Sequence, residues 1–415
     1  MRPRATIGDP DEELWLRTAG RKTKEAWMAH IKDRGKDLER RWQARYRDPD
    51  GHEKSRTFTR KVDAQRWLDQ VTADLVTGRY VDPRAGRVTL ANFAARWLKS
   101  QTFDASTRET MESRVRTHIL PTIGDSELRH LNPSTVQAWV RSRQIEVAPS
   151  YCRLLLSNLS TILSAAVEDG MIPSNPCVVS SVKAPRVDRR RVVPWSVETA
   201  QRVVEGHPAE FRAVPVLGAG CGLRQGEIFG LTVGNIDFLR RVVYVRRQLR
   251  LVENQIVFAP PKGGREREVP LPNVVSVALA EHVRRHGTSD AVLPWREPGG
   301  EAVSGDLLFT NRDRGPLTRA YFTHNAWKPA LAAAGVERSR ETGMHALRHH
   351  YASVLLHGGV SIRAVSEYLG HHDPGFTLRT YAHLMPESED RARDAIDAAH
   401  SAPAESVRNV QDTKG

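Results

Sequence analysis

The sequence predicts a multidomain chain: a small N-terminal module of a β-hairpin and a helix, an all-α domain, and a mixed α+β, mainly α, C-terminal domain. Three observations carry this. A chain of 415 residues, 40% of them hydrophobic, is too long for one ordinary core and apolar enough to fill two or three. Residues 41–59 alternate apolar with polar side chains, whereas residues 89–169 repeat apolar side chains at spacings of three and four. Beyond residue 194, short strand patterns cluster between helical ones, which suits α+β rather than a wound βαβ sheet.

In chain order, "RWQARYRDPDGHEKSRTFT" (41–59) places Trp42, Ala44 and Tyr46 in alternation up to an Asp-Pro-Asp-Gly turn and then resumes, which reads as a β-hairpin. A helix follows with Ala64, Trp67, Leu68, Val71 and Leu75 on one face. Arginine and lysine fill the hairpin, and a small basic β-ribbon can enter a nucleic-acid groove. "GRYVDPRAGR" (78–87) is rich in turn formers and reads as a linker. Thr89 can cap a helix bearing Leu90, Phe93, Ala94, Trp97 and Leu98, and helical patterns recur near 106–118, 133–144 and 149–169, so this region looks like a four-helix unit. "SSVKAPRVDRRRV" (180–192) lacks apolar periodicity and is dense in arginine, a second linker. From Pro194 to about His400, helices enclose three short strands near 241–249, 255–259 and 266–271. "SAPAESVRNVQDTKG" closes the chain as a polar tail.

The net charge of +13, from 62 Lys and Arg against 49 Asp and Glu, predicts a polyanionic partner held by salt-sensitive contacts, with nucleic acid the leading candidate. A membrane partner is disfavoured, because no apolar run approaches the roughly 18 residues a spanning helix requires. Cys152, Cys177 and Cys221 lack CxxC spacing, which argues against a disulfide framework and a thiolate zinc site. "MRPRATIGDPDEELW" has no hydrophobic signal core, so a reducing, intracellular (cytoplasmic) location is expected.

Four stretches could carry chemistry. In "GCGLRQGEIFGL" (220–231), Gly222 can end one helix, Glu227, Ile228 and Leu231 fall on the next, and Arg224 lies at its mouth, a placement suited to phosphate. In "VFAPPKGGREREVPL" (257–271), Lys262 projects from a Pro/Gly turn between two strands, read as a hairpin tip. "HALRHHYASVLLHGG" (345–359) sets His345 and Arg348 one helical turn apart, with Leu347, Tyr351, Val354 and Leu355 as the buried stripe and Gly358 and Gly359 as the stop. "LGHHDPGFTLRTYAHLM" (369–385) surrounds Tyr381 with His371, His372 and His383, of which His372, like Asp373, reads as surface.

Two readings of the histidines compete. His345 and His349, at i and i+4, could join His371 as a three-histidine metal site. Yet no glutamate intervenes as in H-E-x-x-H, and Arg348 between them cannot be deprotonated and would repel a dication. An anion site fits better. Arg224, Lys262, His345, Arg348 and His371 make a cationic cup beside Tyr381, the one nearby group able to attack a bound phosphate.

With "GLRQGE", Lys262, "HALRHH", "LGH" and Tyr381 in this order, the C-terminal region resembles the tyrosine recombinases, the phage-type integrases. More weakly, the helical region is similar to the family's core-type DNA-binding domain, and the basic hairpin resembles its arm-binding module. The ten positions from His371 to Tyr381 are slightly longer than in many members, which suggests a bulged loop at "DPGF".

The resemblance implies a catalytic domain of tyrosine recombinase type and a metal-free transesterification with no cofactor. Tyr381 would attack a DNA phosphodiester to form a 3′-phosphotyrosyl link and free a 5′-hydroxyl. A phenol of pKa about 10 is only ~0.1% ionised at neutral pH, so it needs an acceptor, for which His345 is the candidate. Arg224 and Arg348 would hold the non-bridging oxygens, His371 would donate a further hydrogen bond, and Lys262 would protonate the leaving oxygen. Glu227 would orient Arg224, and His349 would support the site from behind.

The implied organisation is an N-terminal extension (1–28), a candidate for disorder, an arm-type DNA-binding module (29–82), a core-type DNA-binding domain (88–180), a basic linker (181–192), a catalytic domain (193–400) and the tail (401–415). The chain would clamp double-stranded DNA as a homo-tetramer, binding core-type and arm-type sites, with a directionality factor and a host DNA-bending protein as candidate partners. The extra N-terminal module favours an integrase of a phage or integrative element. A non-catalytic DNA-binding regulator with a recombinase-like domain and a metal-dependent nuclease are the competing readings. Beyond Asp373 no carboxylate cluster near the histidines supports the nuclease.

Overall fold

The computed structural model describes residues 29–34, 41–49, 51–77, 80–82, 84–187, 191–384, 393, 396–397 and 399–400. The extension at 1–28, the tail at 401–415 and the two arginines at 189 and 190 in the second linker lie outside the described residues. The chain divides into two compact units, Met1–Phe103 with Thr107–Asp188, and Asp104–Ser106 with Arg189–Gly415.

The first unit begins with an antiparallel sheet of β1 (His30–Asp33), β2 (Trp42–Arg47) and β3 (Glu53–Phe58), in that order. The hairpin read from the sequence is β2–β3, with Trp42 opposite Phe58. β1 was not legible, because its four residues, HIKD, hold a single apolar side chain. Alternation puts Ala44 and Tyr46 on one face, where α1 (Lys61–Val76) covers them with Ala64, Leu68, Val71 and Leu75. Beyond α1, the Tyr80 hydroxyl meets that of Tyr46 at 2.7 Å and Asp82 pairs with Lys54 at 2.7 Å, which ties residues 80–82 to the sheet.

The helical part starts at α2 (Leu90–Ser100), where Thr89 Oγ1 accepts from the Asn92 amide at 3.3 Å, as an N-cap should. α3 (Ala105–Arg114) runs on through Val115–Ile119 into α4 (Leu120–Ile123). Asn132 caps α5 (Pro133–Glu146) and is followed by α6 (Pro149–Glu168). Phe93, Ile119, Trp139 and Leu155 are buried together, each worth roughly 1.5–3 kcal/mol of hydrophobic stabilisation.

The second unit opens with α7 (Val197–Glu205), capped by Ser196, then α8 (Ala213–Cys221) and α9 (Gln225–Phe229). α8 is apolar on all sides and sits in the middle of the core, as a helix with no polar stripe must. β4 (Ile236–Asp237) and β5 (Val242–Val245) lead to β6 (Gln248–Val252), β7 (Gln255–Ala259) and β8 (Arg267–Pro270). β4, β5 and β8 form one sheet, β6 and β7 another. α10 (Asn273–His286) precedes a hairpin of β9 (Ser289–Pro294) and β10 (Ala302–Leu307). α11 (Arg319–Phe322) continues through Thr323–Trp327 into α12 (Lys328–Ala333). α13 (His345–His357), α14 (Ile362–Leu369) and α15 (Pro374–Tyr381) follow. The whole is mixed and mainly helical, and among the described residues no helix is long and apolar enough to cross a membrane.

Several expectations change. The strand read over 241–249 breaks at Arg246–Arg247 into β5 and β6, which join different sheets; Arg247 there stacks on Phe258 at 4.6 Å and donates to Thr232 Oγ1 at 3.2 Å. For the same reason Lys262 is not at a hairpin tip, since β7 and β8 on either side of it are not paired. The β9–β10 hairpin was missed because exposed Val292 stands between Ala291 and Leu293, which pack against the core, so SDAVLP shows no alternation of apolar with polar side chains. Leu231 falls beyond α9, and Val354 is exposed rather than in the stripe, its place taken by Ala352 and Leu356. "DPGF" is no bulged loop: Asp373 accepts from the Gly375 amide at 2.8 Å and starts α15.

Candidate active site

α8 stops because Gly222 is left-handed, φ +63°, and a Cβ there would lie 2.3 Å from Tyr351 Cδ1. This stop brings the Gly222 carbonyl to Arg348 on α13, which donates to it from Nη1 at 2.7 Å and from Nη2 to Leu369 O. α14 likewise ends on a left-handed glycine, Gly370, φ +62°, where a Cβ would crowd Arg267. Arg348 is thus held by two helix ends, 1% exposed, with Nε lacking a hydrogen-bond partner. Burial, with Arg224 beside it, pushes Arg348 down to about 9, so it remains cationic at neutral pH.

Arg224 immediately precedes α9. Its amide donates to Glu227 Oε2 at 2.9 Å, its Nη1 to Oε1 at 3.0 Å, and its Nη2 to Gly370 O at 3.4 Å. Glu227 is fully buried and does more than orient Arg224, because Arg267 on β8 grips it with Nη1 at 3.0 Å and Nη2 at 2.6 Å. Burial alone would raise this carboxyl; the Arg267 and Arg224 guanidiniums override it and hold Glu227 at about 2. Arg267 also donates from Nε to Tyr368 O at 2.7 Å, fixing the end of α14. The sequence reading missed Arg267. Its signal was present: it lies in phase with Val269 on the inward face of β8 and with buried Leu271 just past the strand, where a charge demands a partner. Replacing it in Arg267→Met should destabilise the fold by about 3–5 kcal/mol in denaturant unfolding, the usual cost of orphaning a buried charge. A loss under ~1 kcal/mol would contradict this account of Glu227.

His371 follows Gly370. Its amide donates to Ser366 O at 3.0 Å, and its Nδ1 meets the hydroxyl of fully buried Thr377 at 2.7 Å. A hydroxyl donating to Nδ1 leaves the ring proton on Nε2, free to be given to an anion. His372 and Asp373 are exposed, and Asp373 pairs with Arg379 at 2.9 Å. His383, also exposed, bonds Val192 O at 2.8 Å.

Tyr381 ends α15 and is 1% exposed. Its hydroxyl meets Nδ1 of His349 at 2.8 Å, so the histidine expected to act from behind touches the tyrosine directly. His345, the expected acceptor, stands one turn before His349 with its ring perpendicular at 4.6 Å. Lys262 is exposed on the β7–β8 connection, where Gly263 and Gly264 take φ of +85° and +71°. It lies near enough for its charge to act on His345.

The histidines contribute no fixed charge to the expected cationic cup. Burial, then His349, Arg348, Arg224 and Lys262, lower His345 to about 4; burial and Arg348 lower His349 to about 4; burial, Arg348 and Arg224 lower His371 to about 3. All three are neutral at pH 7, and the positive charge belongs to Arg224, Arg348 and Lys262, with Arg267 set against Glu227. The folded values lie below the ordinary 6.5, so the unfolded chain binds more protons as pH falls from about 6.5 towards 4. Stability present above that window should be lost within it: the melting temperature of the full chain should fall between about pH 7 and pH 5. A flat or rising melting temperature would contradict these environments. Among the described residues, no group of three or more His, Cys, Asp or Glu side chains is placed to hold a metal ion.

Comparison with known proteins matches residues 193–388 to the phage integrase family, residues 39–77 to the phage integrase N-terminal domain, and residues 90–180 to the phage integrase central domain. The prophage phiRv2 integrase of Mycobacterium tuberculosis is 29% identical over 370 residues, covering 86% of this chain and 92% of that protein. A XerC-like tyrosine recombinase of Caldanaerobacter subterraneus is 28% identical over 259 residues, 57% of this chain and 63% of that protein. Among solved structures, the Tn1549 transposon integrase in complex with transposon right end DNA superposes with a TM-score of 0.64 at 20% identity, covering 75% of this chain and 99% of that one. A lambda integrase tetramer bound to a Holliday junction gives 0.55 at 19% identity, covering 83% and 93%.

Proposed function

Because this chain belongs to the phage integrase family of tyrosine recombinases, enzymes of site-specific DNA recombination, we propose that Tyr381 is its nucleophile and that it cuts and rejoins DNA through a 3′-phosphotyrosyl link. The observation that carries the assignment is Arg348: a buried guanidinium hydrogen-bonded to two backbone carbonyls, with an unpartnered N–H, beside a buried tyrosine. A buried guanidinium whose hydrogen bonds go to neutral carbonyls is stabilised by an anion that balances its charge.

Arg224 and Arg348 hold the non-bridging oxygens of the scissile phosphate, and His371 donates from Nε2. The Tyr381 hydroxyl gives its proton to a histidine of α13, its oxygen bonds to phosphorus, the bond to the 5′ oxygen breaks, and Lys262 protonates that oxygen as it leaves. Glu227, clamped by Arg267, keeps Arg224 in place. His345 stays on the phosphate side, with Arg348, Arg224 and Lys262 as its charged neighbours. One phosphodiester is exchanged for another, so rejoining is the same reaction run backwards and needs no energy-rich cofactor.

Duplex DNA is the partner. The finer assignment is that the helical region of the first unit and the catalytic unit hold core-type sites, while the β1–β3 sheet reads arm-type sites. Its face opposite α1 supports this with Gln43 and Ser55 joined at 3.0 Å and Arg45 steadied by Glu53 at 2.6 Å. Strand exchange between two duplexes calls for a homo-tetramer on DNA, and the protein acts inside the cell on an integrative element, with directionality and DNA-bending factors as its accessory partners.

The test is a nicked suicide duplex incubated with the full chain in excess chelator. A protein–DNA adduct stable to denaturant is expected. DNA binding without an adduct would favour the non-catalytic regulator, and chelator-sensitive cleavage to free ends would favour the nuclease.

A further inference from the structure

We propose that His349, rather than His345, is the proton acceptor for Tyr381. The inference rests on the reading of Tyr381 as nucleophile and assigns the base that serves it.

Burial leaves the Tyr381 hydroxyl little access to bulk water, and among the described residues its direct hydrogen-bond partner is His349 Nδ1 at 2.8 Å. A proton leaving the phenol therefore goes to that ring. The His345 ring, edge to face at 4.6 Å, packs against His349 and limits its reorientation. The charged and titratable groups around the pair are Arg348 and His345 on α13, Tyr381 on α15, and Arg224 before α9.

In the resting chain the transfer is uphill. Burial raises Tyr381 to about 12 despite Arg348 and Arg224, while burial and Arg348 lower His349 to about 4. A DNA phosphate seated on Arg224 and Arg348 masks the cation that opposes an imidazolium. The O–H bond then breaks as the P–O bond forms: the proton passes to Nδ1, the freed electron pair attacks phosphorus, and the 5′ oxygen takes its proton from Lys262. Coupling the transfer to phosphate binding keeps the nucleophile inert without DNA.

The experiment measures single-turnover adduct formation by the full chain on a suicide duplex from about pH 6 to pH 9. His349→Asn keeps a polar partner for the hydroxyl but supplies no base, and should slow adduct formation at neutral pH by about 10²–10⁴-fold. Its rate should then climb close to tenfold per pH unit as ionisation of the phenol replaces the lost acceptor. His349→Gly should regain rate with added imidazole, whereas His345→Asn should show neither the steep slope nor the rescue. Adduct formation by His349→Asn as fast as wild type would show that the bond only parks the tyrosine. A loss that is flat with pH and not relieved by imidazole in His349→Gly would show a structural role, and either result overturns the proposal. An adduct in Tyr381→Phe would instead remove the nucleophile assignment beneath it.

Discussion

Tyr381→Phe should form no covalent DNA adduct while binding duplex DNA about as tightly as the wild type. The substitution deletes one oxygen and no charge, so the arginines and lysine that would face phosphate are untouched. The ring keeps its place in the buried cluster that also holds Tyr351, Val365 and Leu369. What is lost is one hydrogen bond to His349, worth roughly 0.5–1.5 kcal/mol of stability. A mobility-shift titration and a denaturing gel on the same suicide duplex read the two properties separately. An adduct in the Phe variant would remove the assignment of the nucleophile.

The second large effect concerns Lys262, which stands exposed and so could be ordinary surface. An alkoxide is a poor leaving group, and losing its proton donor in Lys262→Ala should slow cleavage by about 10²–10⁴-fold. Loss of a DNA contact could imitate this. A substrate with sulfur in place of the bridging 5′ oxygen separates the two, because a thiolate departs without a proton. On that substrate Lys262→Ala should approach the wild-type rate, while Arg224→Ala, lacking stabilisation of the transition-state charge, should stay impaired. Equal rescue of both, or of neither, would return Lys262 to the surface.

The helices and the core of the site were legible where local spacing decides the structure. His345, Arg348 and the end of α13 follow from helical periodicity, and Gly222 and Gly370 from their place after apolar helices. Long-range choices were not. Arg267 lies forty positions from Glu227, and only the folding of β8 beside α9 joins them. His345 and His349 fall one turn apart on the same helix, so the sequence cannot tell which meets Tyr381; that depends on how α15 packs against α13. Nothing in the local sequence singles out Thr377, whose hydroxyl meets His371 Nδ1 only through the packing of α15 against the end of α14. The strand over 241–249 read as continuous because the division at Arg246–Arg247 is set by sheet pairing and by the stacking of Arg247 on Phe258.

The most direct test of the account is to digest the adduct formed on a suicide duplex with trypsin and nuclease and to sequence the modified peptide by mass spectrometry. The peptide beginning at Thr380 should carry a nucleotide on Tyr381 through its 3′-phosphate. A nucleotide on any other residue, or a linkage through a 5′-phosphate, would contradict the assignment of Tyr381 as the group that cuts DNA.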